Sequence, residues 1–177
     1  MKILQPYLAI DIETTGLDIT KAQVLEVGLV YDDGISSIKD LKKARFIFKP
    51  ENDYYEFYAM SMHSELLKEI AKGDTVVLKD ALYWFVEEEL QLSKVTFAGK
   101  NISGFDLPIL KNNNFKLPKY SHRMIDVGSM YFHKFGYVPS LQEINTLIGY
   151  KEVSHTALED TLNIVIAIRA LMDMNNE

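Results

Sequence analysis

The segment LAIDIETTGLD, residues 8–18, constrains the fold most, because its apolar strand pattern ends in two carboxylates. Side chains two positions apart in a strand point to the same face, so Asp11 and Glu13 lie together while the alternate apolar residues face a core. Two carboxylates this close repel each other unless a cation lies between them. Oxygen ligands of this kind favour magnesium or manganese over softer ions. The segment therefore predicts a core strand with a divalent-cation site at its C-terminal end.

The residues that follow the acidic pair favour a binding function. Thr14, Thr15 and Gly16 supply two hydroxyls and a flexible backbone, where a sugar hydroxyl or a terminal phosphate would lie. A bare Asp-x-Glu pattern is short and common, and by itself it also fits the solvated end of an exposed strand. The Thr-Thr-Gly sequence makes the cation site the preferred interpretation.

The composition limits the function classes. The chain has 177 residues, of which 47% are hydrophobic, and we expect one domain over residues 1–177. A net charge of −6 argues against an extended grip on a long duplex, but it permits capture of a chain end through a few contacts and bound cations. The absence of cysteine excludes a thiolate metal site. With no secretory signal and no apolar run long enough for a bilayer, we expect a cytoplasmic protein without a membrane partner.

The order of the hydrophobic patterns indicates the fold class. Strand-like runs cover residues 7–12, 24–31, 45–48 and 95–98. Helical patterns cover residues 54–72, 80–90, 105–112, 140–149 and 157 onwards. Strands first, then helices mixed with a short strand, predict an α/β protein with a mixed sheet covered by helices on both faces. Periodicity alone does not choose among the α/β folds.

A second acidic segment, SHTALED, opens the last helix. Thr156 and Glu159 form a capping box that sets the helix start at about Ala157. His155 then precedes the helix and is available as a mobile base, while Asp160 lies in the first turns as a fixed ligand. Taken alone, the segment also fits a surface histidine and an acid that only complements the helix dipole.

A third acid, Asp106 in FAGKNISGFDLPIL, lies at another strand-to-helix junction. Five chemistry-bearing positions now occur in order along the chain: Asp11, Glu13, Asp106, His155 and Asp160. Together with Phe105 before the third acid, they are similar to the hallmark of the DnaQ-like DEDDh family of 3′→5′ exonucleases, which includes oligoribonucleases and proofreading exonucleases. The likeness extends from residue 8 to about residue 165. It implies a ribonuclease H-like mixed sheet flanked by helices, which the order of elements fits.

The resemblance implies a role for each hallmark residue. Asp11 would bridge two divalent cations, Mg²⁺ or Mn²⁺. Glu13 and Asp160 would bind the first, and Asp106 would hold the second, partly through water. His155 would deprotonate the attacking water, a role that suits an imidazole with a pKa near neutrality. The implied reaction releases a nucleoside 5′-monophosphate from a 3′ end.

The resemblance also implies contacts to the terminal nucleotide. The candidate substrate-binding residues are Thr14, Thr15, Gly16, Leu17, His63, Asn101 and Phe105. Leu17 would act as a wedge against the terminal base. Asn101 departs from the family pattern, because three residues separate it from Phe105 where two are usual in bacterial proofreading subunits. His63 resembles a histidine near the substrate in many relatives, but its position also fits an exposed helix residue.

The expected substrates are single-stranded RNA or DNA 3′ ends and short oligonucleotides. The aromatic run Tyr54–Tyr58 can stack bases, although packing or a dimer contact explains it as well. The basic run Lys42, Lys43 and Arg45 fits either a phosphate contact or a solvated strand edge. Two other functions remain open: a catalytically idle module that binds nucleic acid or a polymerase, and a ribonuclease H-type endonuclease. A homodimer or a polymerase partner is compatible with the leading interpretation.

Overall fold

The protein folds around a five-stranded mixed sheet. The computed structural model describes residues 4–75, 78–150 and 156–174. The strands are β1 (Tyr7–Thr14), β2 (Val24–Asp32), β3 (Lys42–Ile47), β4 (Phe97–Gly99) and β5 (Ile125–Asp126). Their order is β3-β2-β1-β4-β5, with β1, β2 and β3 antiparallel and β4 and β5 running parallel to β1. The predicted α/β class with a mixed sheet is confirmed.

Helices lie on both faces of this sheet. They are α1 (Phe57–Met62), α2 (Ser64–Lys72), α3 (Ala81–Trp84), α4 (Asp106–Asn112), α5 (Val127–Met130), α6 (Phe132–Phe135), α7 (Leu141–Leu147) and α8 (Ala157–Met174). A 3₁₀ turn covers Ile38–Asp40, and a π-helical turn, Phe85–Glu89, extends α3. Among the described helices, none has the length and apolar character needed to cross a membrane.

The two faces of β1 pack against different cores. Leu8, Ile10 and Ile12 belong to the core that also contains residues of α3 and α4. Tyr7 and Ala9 belong to the opposite core, which is formed largely by α8. Because Asp11 and Glu13 continue the alternation of Tyr7 and Ala9, their side chains point to the face that α8 covers. This is the arrangement that the alternating pattern of the first segment predicts.

Gly28 allows the start of α8 to lie directly on the sheet. Gly28 of β2 is the cross-strand partner of Asp11, and a Cβ atom on it would lie 2.2 Å from the backbone oxygen of Ala157. No other residue type permits this approach without displacing the helix. The close packing brings the first turns of α8, and Asp160 with them, over the C-terminal end of β1.

Capping boxes lie at the starts of α7 and α8, and the one at α8 is the one that the sequence predicts. The hydroxyl of Ser140 accepts from the backbone of Glu143, and the Glu143 carboxylate accepts from the backbone of Ser140, which completes a capping box at α7. At α8, the Glu159 amide donates to Thr156 Oγ1 at 3.3 Å. The predicted start of α8 at Ala157 is confirmed.

The elements differ from the sequence-based expectation in several places, including β4, which covers Phe97–Gly99 where a strand over 95–98 is expected. The helical pattern over 54–72 is two helices, which start at Phe57 and are interrupted at His63, whose φ and ψ are −106° and 29°. The strand expected over 45–48 is β3 at Lys42–Ile47. Three short elements, β5, α5 and α6, were not predicted, because two to four residues are too few to show a hydrophobic period.

A buried ion pair joins the end of β2 to α8. Asp32 is fully buried, and Arg169 of α8 donates to its two carboxylate oxygens at 2.8 and 2.5 Å. The hydroxyl of Tyr7 donates to the same carboxylate at 2.8 Å. Burial would raise the pKa of Asp32, but the hydrogen bonds from Arg169, the Gly34 amide and Tyr7, with the charge of Arg169, hold it below its usual range. The ionised carboxylate therefore stabilises the fold.

Replacing Asp32 by Asn is expected to lower the free energy of unfolding at neutral pH by about 2 kcal/mol, because charge-assisted hydrogen bonds are lost. A carboxylate with a lowered folded-state pKa contributes fully above its unfolded value, 3.8, and loses this contribution as the pH falls through the folded-state value. Below about pH 4, wild-type stability should therefore fall more steeply than that of the variant. Urea unfolding from neutral pH into the acid range measures both effects, and parallel curves would contradict the assignment.

Candidate active site

Three of the predicted acids converge where β1 ends under α8. One carboxylate oxygen each from Asp11, Glu13 and Asp160 lies within 4.8 Å of the other two. The β1 strand positions the first two, and the contact between Gly28 and Ala157 positions the third. All three side chains are partly buried. Three converging carboxylate oxygens form a donor set that fits a hard divalent cation.

Asp106 is a further buried acid whose charge acts on Asp11. It is the first residue of α4 and is only 3% exposed. Its charge is the largest contribution, after burial, to the raised pKa of Asp11, so the two carboxyl groups are close neighbours. Burial raises the pKa of Asp106 itself to about 7, although hydrogen bonds from the backbone amides of Asp106 and Ile12 oppose the rise. Asp106 lies beside the group of three rather than within it.

The electrostatics of the cluster indicate that a positive charge belongs there. Burial, followed by the charges of Asp106, Glu13 and Asp160, raises the pKa of Asp11 well above its usual range. Burial, followed by the charges of Asp160 and Glu26, raises the pKa of Glu13 to about 8. Acids arranged in this way stabilise their neutral forms unless a cation compensates the repulsion. The residues present therefore fit a bound divalent cation.

The loop between β4 and α4 is fixed by Asp126. The backbone amide of Asn101 donates to Asp126 Oδ2 at 2.5 Å, and Asp126 Oδ1 accepts from the amide of Ser129 at 2.7 Å. Asn101 has a φ of +56°, a conformation that asparagine tolerates better than most residues. Its carbonyl accepts from the amides of Gly104 and Phe105. The loop therefore has a defined path into α4, and Asp106 has a defined position.

The hydroxyls of Thr14 and Thr15 are used within the turn that follows β1. Thr14 donates to the carbonyl of Gly16 at 2.7 Å, and Thr15 Oγ1 accepts from the amide of Gln23 at 3.0 Å. Both residues are buried. These contacts hold the turn in place. Contact of the two hydroxyls, the turn backbone and Leu17 with a substrate stays a prediction.

Leu17 is presented to solvent on a fixed turn. It is 67% exposed, and its backbone amide donates to Glu56 Oε1 at 3.1 Å. The same oxygen accepts from the Tyr54 hydroxyl at 2.7 Å, and the Glu56 side chain occupies the space beside Gly16. Three exposed aromatic residues lie next to Glu56 in the chain: Tyr55 before it, and Phe57 and Tyr58 after it. Glu56 therefore tethers the turn at Leu17 to the segment that carries these exposed rings.

The structure places His63 beside the acidic cluster. Its Nε2 atom lies 3.4 Å from Glu13 Oε2, and the side chain is 7% exposed. The alternative interpretation, an exposed helix residue, is therefore wrong. Phe105 is partly buried and packs against the core that contains α4. The predicted base, His155, lies in the stretch 151–155, outside the described residues.

Sequence reasoning missed two residues next to the cluster. Glu26 of β2 is the cross-strand partner of Glu13 and is fully buried, and Arg45 of β3 donates to it at 2.5 Å. The available signal was an acid inside the apolar run VLEVGLV, where a strand buried on both faces rarely carries a charge. Arg45 was recognised only as part of a basic run.

The sheet order and the acids after β1 and β4 define a ribonuclease H-like fold with a candidate divalent-cation site. A family model described as exonuclease, RNase_T, matches residues 8–168. An oligoribonuclease of Cutibacterium acnes is 31% identical over 166 residues, which cover 85% of this chain and 76% of that protein. The chain belongs to the exonuclease (RNase_T) family. The predicted enzyme class, a hydrolase of the DnaQ-like 3′→5′ exonuclease type, is confirmed.

A solved structure supports the fold independently. It is an exonuclease I structure, reported as suggesting how processivity is achieved, and it matches with a TM-score of 0.70 at 19% identity. The match covers 97% of this chain but 41% of that one, so the chain spans less than half the length of this structural relative. At this identity the likeness concerns the fold, and the predicted ribonuclease H-like architecture is confirmed.

Proposed function

We propose that the protein releases nucleoside 5′-monophosphates one at a time from the 3′ ends of single-stranded or short oligonucleotides, in a reaction that requires divalent cations. The convergence of Asp11, Glu13 and Asp160, with Asp106 beside them, carries this proposal. The oligoribonuclease relative and the net charge of −6 support short substrates over long duplexes.

Each acid has a position that suits its proposed role. Asp11 neighbours Glu13 and Asp160, and the charge of Asp106 also acts on it, which supports a role in binding two cations, Mg²⁺ or Mn²⁺. When bound, the cations would favour ionisation of the attacking water and stabilise the leaving 3′ oxygen. We assign the general base to His155, which precedes the capping residue Thr156 in the chain.

The proposed substrate end lies at the turn after β1. Leu17 contacts the terminal base, and the neighbouring Phe57 and Tyr58 offer faces on which bases stack without sequence preference. His63, Asn101 and the backbone at Gly16 complete the proposed contacts to the terminal nucleotide. The exposed side chains of Leu17, Phe57 and Tyr58 favour binding of unpaired bases over binding of a closed duplex.

A test of the proposal uses 5′-labelled single-stranded RNA and DNA, from dinucleotides to twenty-mers, with Mg²⁺ or Mn²⁺. We expect stepwise shortening from the 3′ end, with nucleoside 5′-monophosphates as products and no reaction in EDTA. Short strands should be degraded at least as fast as long ones. A parallel series on RNA and DNA of equal length determines which sugar is preferred.

Circular strands and strands with blocked 3′ ends serve as controls and should remain intact. Internal cleavage of a circular strand would identify an endonuclease instead. Binding of the labelled strand without cleavage under all cation conditions would identify a noncatalytic binding module.

A further inference from the structure

Arg45 bridges two carboxylates from different elements, and it makes one hydrogen bond to the first and two to the second. Its Nε atom donates to Glu26 Oε1 of β2 at 2.5 Å. Its two terminal nitrogens donate to the carboxylate of Glu69 in α2, at 2.8 and 3.2 Å. The two-bond geometry, which makes the strongest arginine–carboxylate ion pair, is therefore formed with the more exposed acid, Glu69. Glu26 is held through one oxygen.

The second oxygen of Glu26 is left inside the protein. Glu26 is fully buried, and its Oε2 atom has no hydrogen-bond partner among the described residues. A buried carboxylate oxygen without a partner is costly, and native structures normally avoid it. If this ion pair served only to join β2, β3 and α2, a hydrogen bond to each oxygen of Glu26 would make it more stable. The geometry of Glu26 therefore calls for a further interaction.

The position of Glu26 indicates what that interaction is. Antiparallel partners lie on the same face of a sheet with Cβ atoms about 5 Å apart, and the partner of Glu26 is Glu13. The charge of Glu26 contributes to the raised pKa of both Glu13 and Asp11. Glu26 thus adds negative charge to a cluster that already repels itself. A bound cation converts that repulsion into attraction.

We propose that Glu26 is a further acidic residue of the cation site, acting on the cation that Asp11, Glu13 and Asp160 would hold, with Arg45 as the residue that positions it. The inference rests on the cation dependence proposed above and adds a residue to it. Glu26 contributes charge next to Glu13, and Arg45 with Glu69 prevents it from turning away. Groups that surround a metal site in this way commonly change metal affinity when they are replaced.

The test measures Mn²⁺ binding to the substrate-free protein by calorimetry, together with electron paramagnetic resonance of free Mn²⁺. Glu26→Gln keeps the shape and removes the charge, and we expect its affinity to fall about tenfold. Glu26→Asp keeps the charge and should retain most of the affinity. Glu65→Gln, which removes an exposed acid of α2 paired with Lys68, is the matched control and should bind Mn²⁺ like the wild type.

The outcomes separate this inference from the proposed function. If Glu26→Gln binds Mn²⁺ as tightly as the wild type, or if Glu26→Asp falls as far as Glu26→Gln, then Glu26 is only a structural ion-pair partner. If the wild type itself binds no Mn²⁺, the cation-dependent function fails as a whole.

A second variant keeps the inference testable if Glu26→Gln does not fold. Arg45→Gln removes the guanidinium that holds Glu26 beside Glu13. Added Mn²⁺ should then raise the Tm of this variant less than that of the wild type. An equal or larger rise would overturn the proposal.

Discussion

Replacing Asp11 by Asn is expected to lower the rate of oligonucleotide hydrolysis at least about a hundredfold, the scale seen when one group that stabilises transition-state charge is removed. The same change should leave the cation-free protein at least as stable as the wild type. Burial and four neighbouring carboxylates raise the pKa of Asp11, so its neutral form is favoured when no cation is bound. The amide of Asn resembles that neutral form and removes the repulsion.

Two measurements check this expectation: single-turnover hydrolysis in Mg²⁺, and urea unfolding in EDTA. Asp173→Asn, at the exposed end of α8, is the matched control and should change neither quantity. Retained hydrolysis in Asp11→Asn would remove Asp11 from the cation site. A large loss of stability would show that the carboxylate serves the fold instead.

The contrast between Asp11 and Asp32 shows how the structure separates acids that serve a site from acids that serve the fold. Asp32 is fully buried, yet Arg169 and Tyr7 supply donors, and its pKa is lowered. Asp11 is surrounded by other acids, and its pKa is raised. A protein that keeps such an uncompensated charge is destabilised unless a ligand binds there. Because the two pKa values shift in opposite directions, Asp32→Asn should lower stability, whereas Asp11→Asn should keep stability and lower activity.

The sequence predicts the features that local patterns determine. The period of two in residues 8–13 places Asp11 and Glu13 on one face, and the capping box places Asp160 in the first turns of α8. The convergence of these acids depends on contacts between distant segments, and no local pattern contains them. It was inferred because the order of the motifs resembled a known family.

The features that sequence reasoning missed depend on tertiary contacts. The helical pattern is interrupted at His63, whose buried side chain lies beside Glu13, a residue distant in the chain. The pairing of Glu26 with Glu13 depends on strand register, which shifts between Glu13 and Thr14. Each of these outcomes was set by a neighbour that is not adjacent in sequence.

Gly28→Ala is expected to reduce both stability and activity. The new methyl carbon would lie 2.2 Å from the backbone oxygen of Ala157, so the start of α8 must move away from the sheet. Overpacking of this kind typically costs about 1–3 kcal/mol. The movement carries Asp160 away from Asp11 and Glu13, so hydrolysis should fall more than the folded fraction explains. Activity per folded molecule and the apparent affinity for Mn²⁺ measure this displacement.

A second glycine separates the displacement of α8 from a general loss of stability. Gly136 has a φ of +78°, and a Cβ atom there would meet nothing within 4 Å. Gly136→Ala should therefore cost about 1 kcal/mol through backbone strain alone, while the activity per folded molecule stays at the wild-type level. If both alanine variants lose activity only in proportion to unfolding, then the seating of α8 on Gly28 does not position Asp160. If Gly28→Ala alone loses Mn²⁺ affinity, the contact between Gly28 and Ala157 sets the geometry of the site.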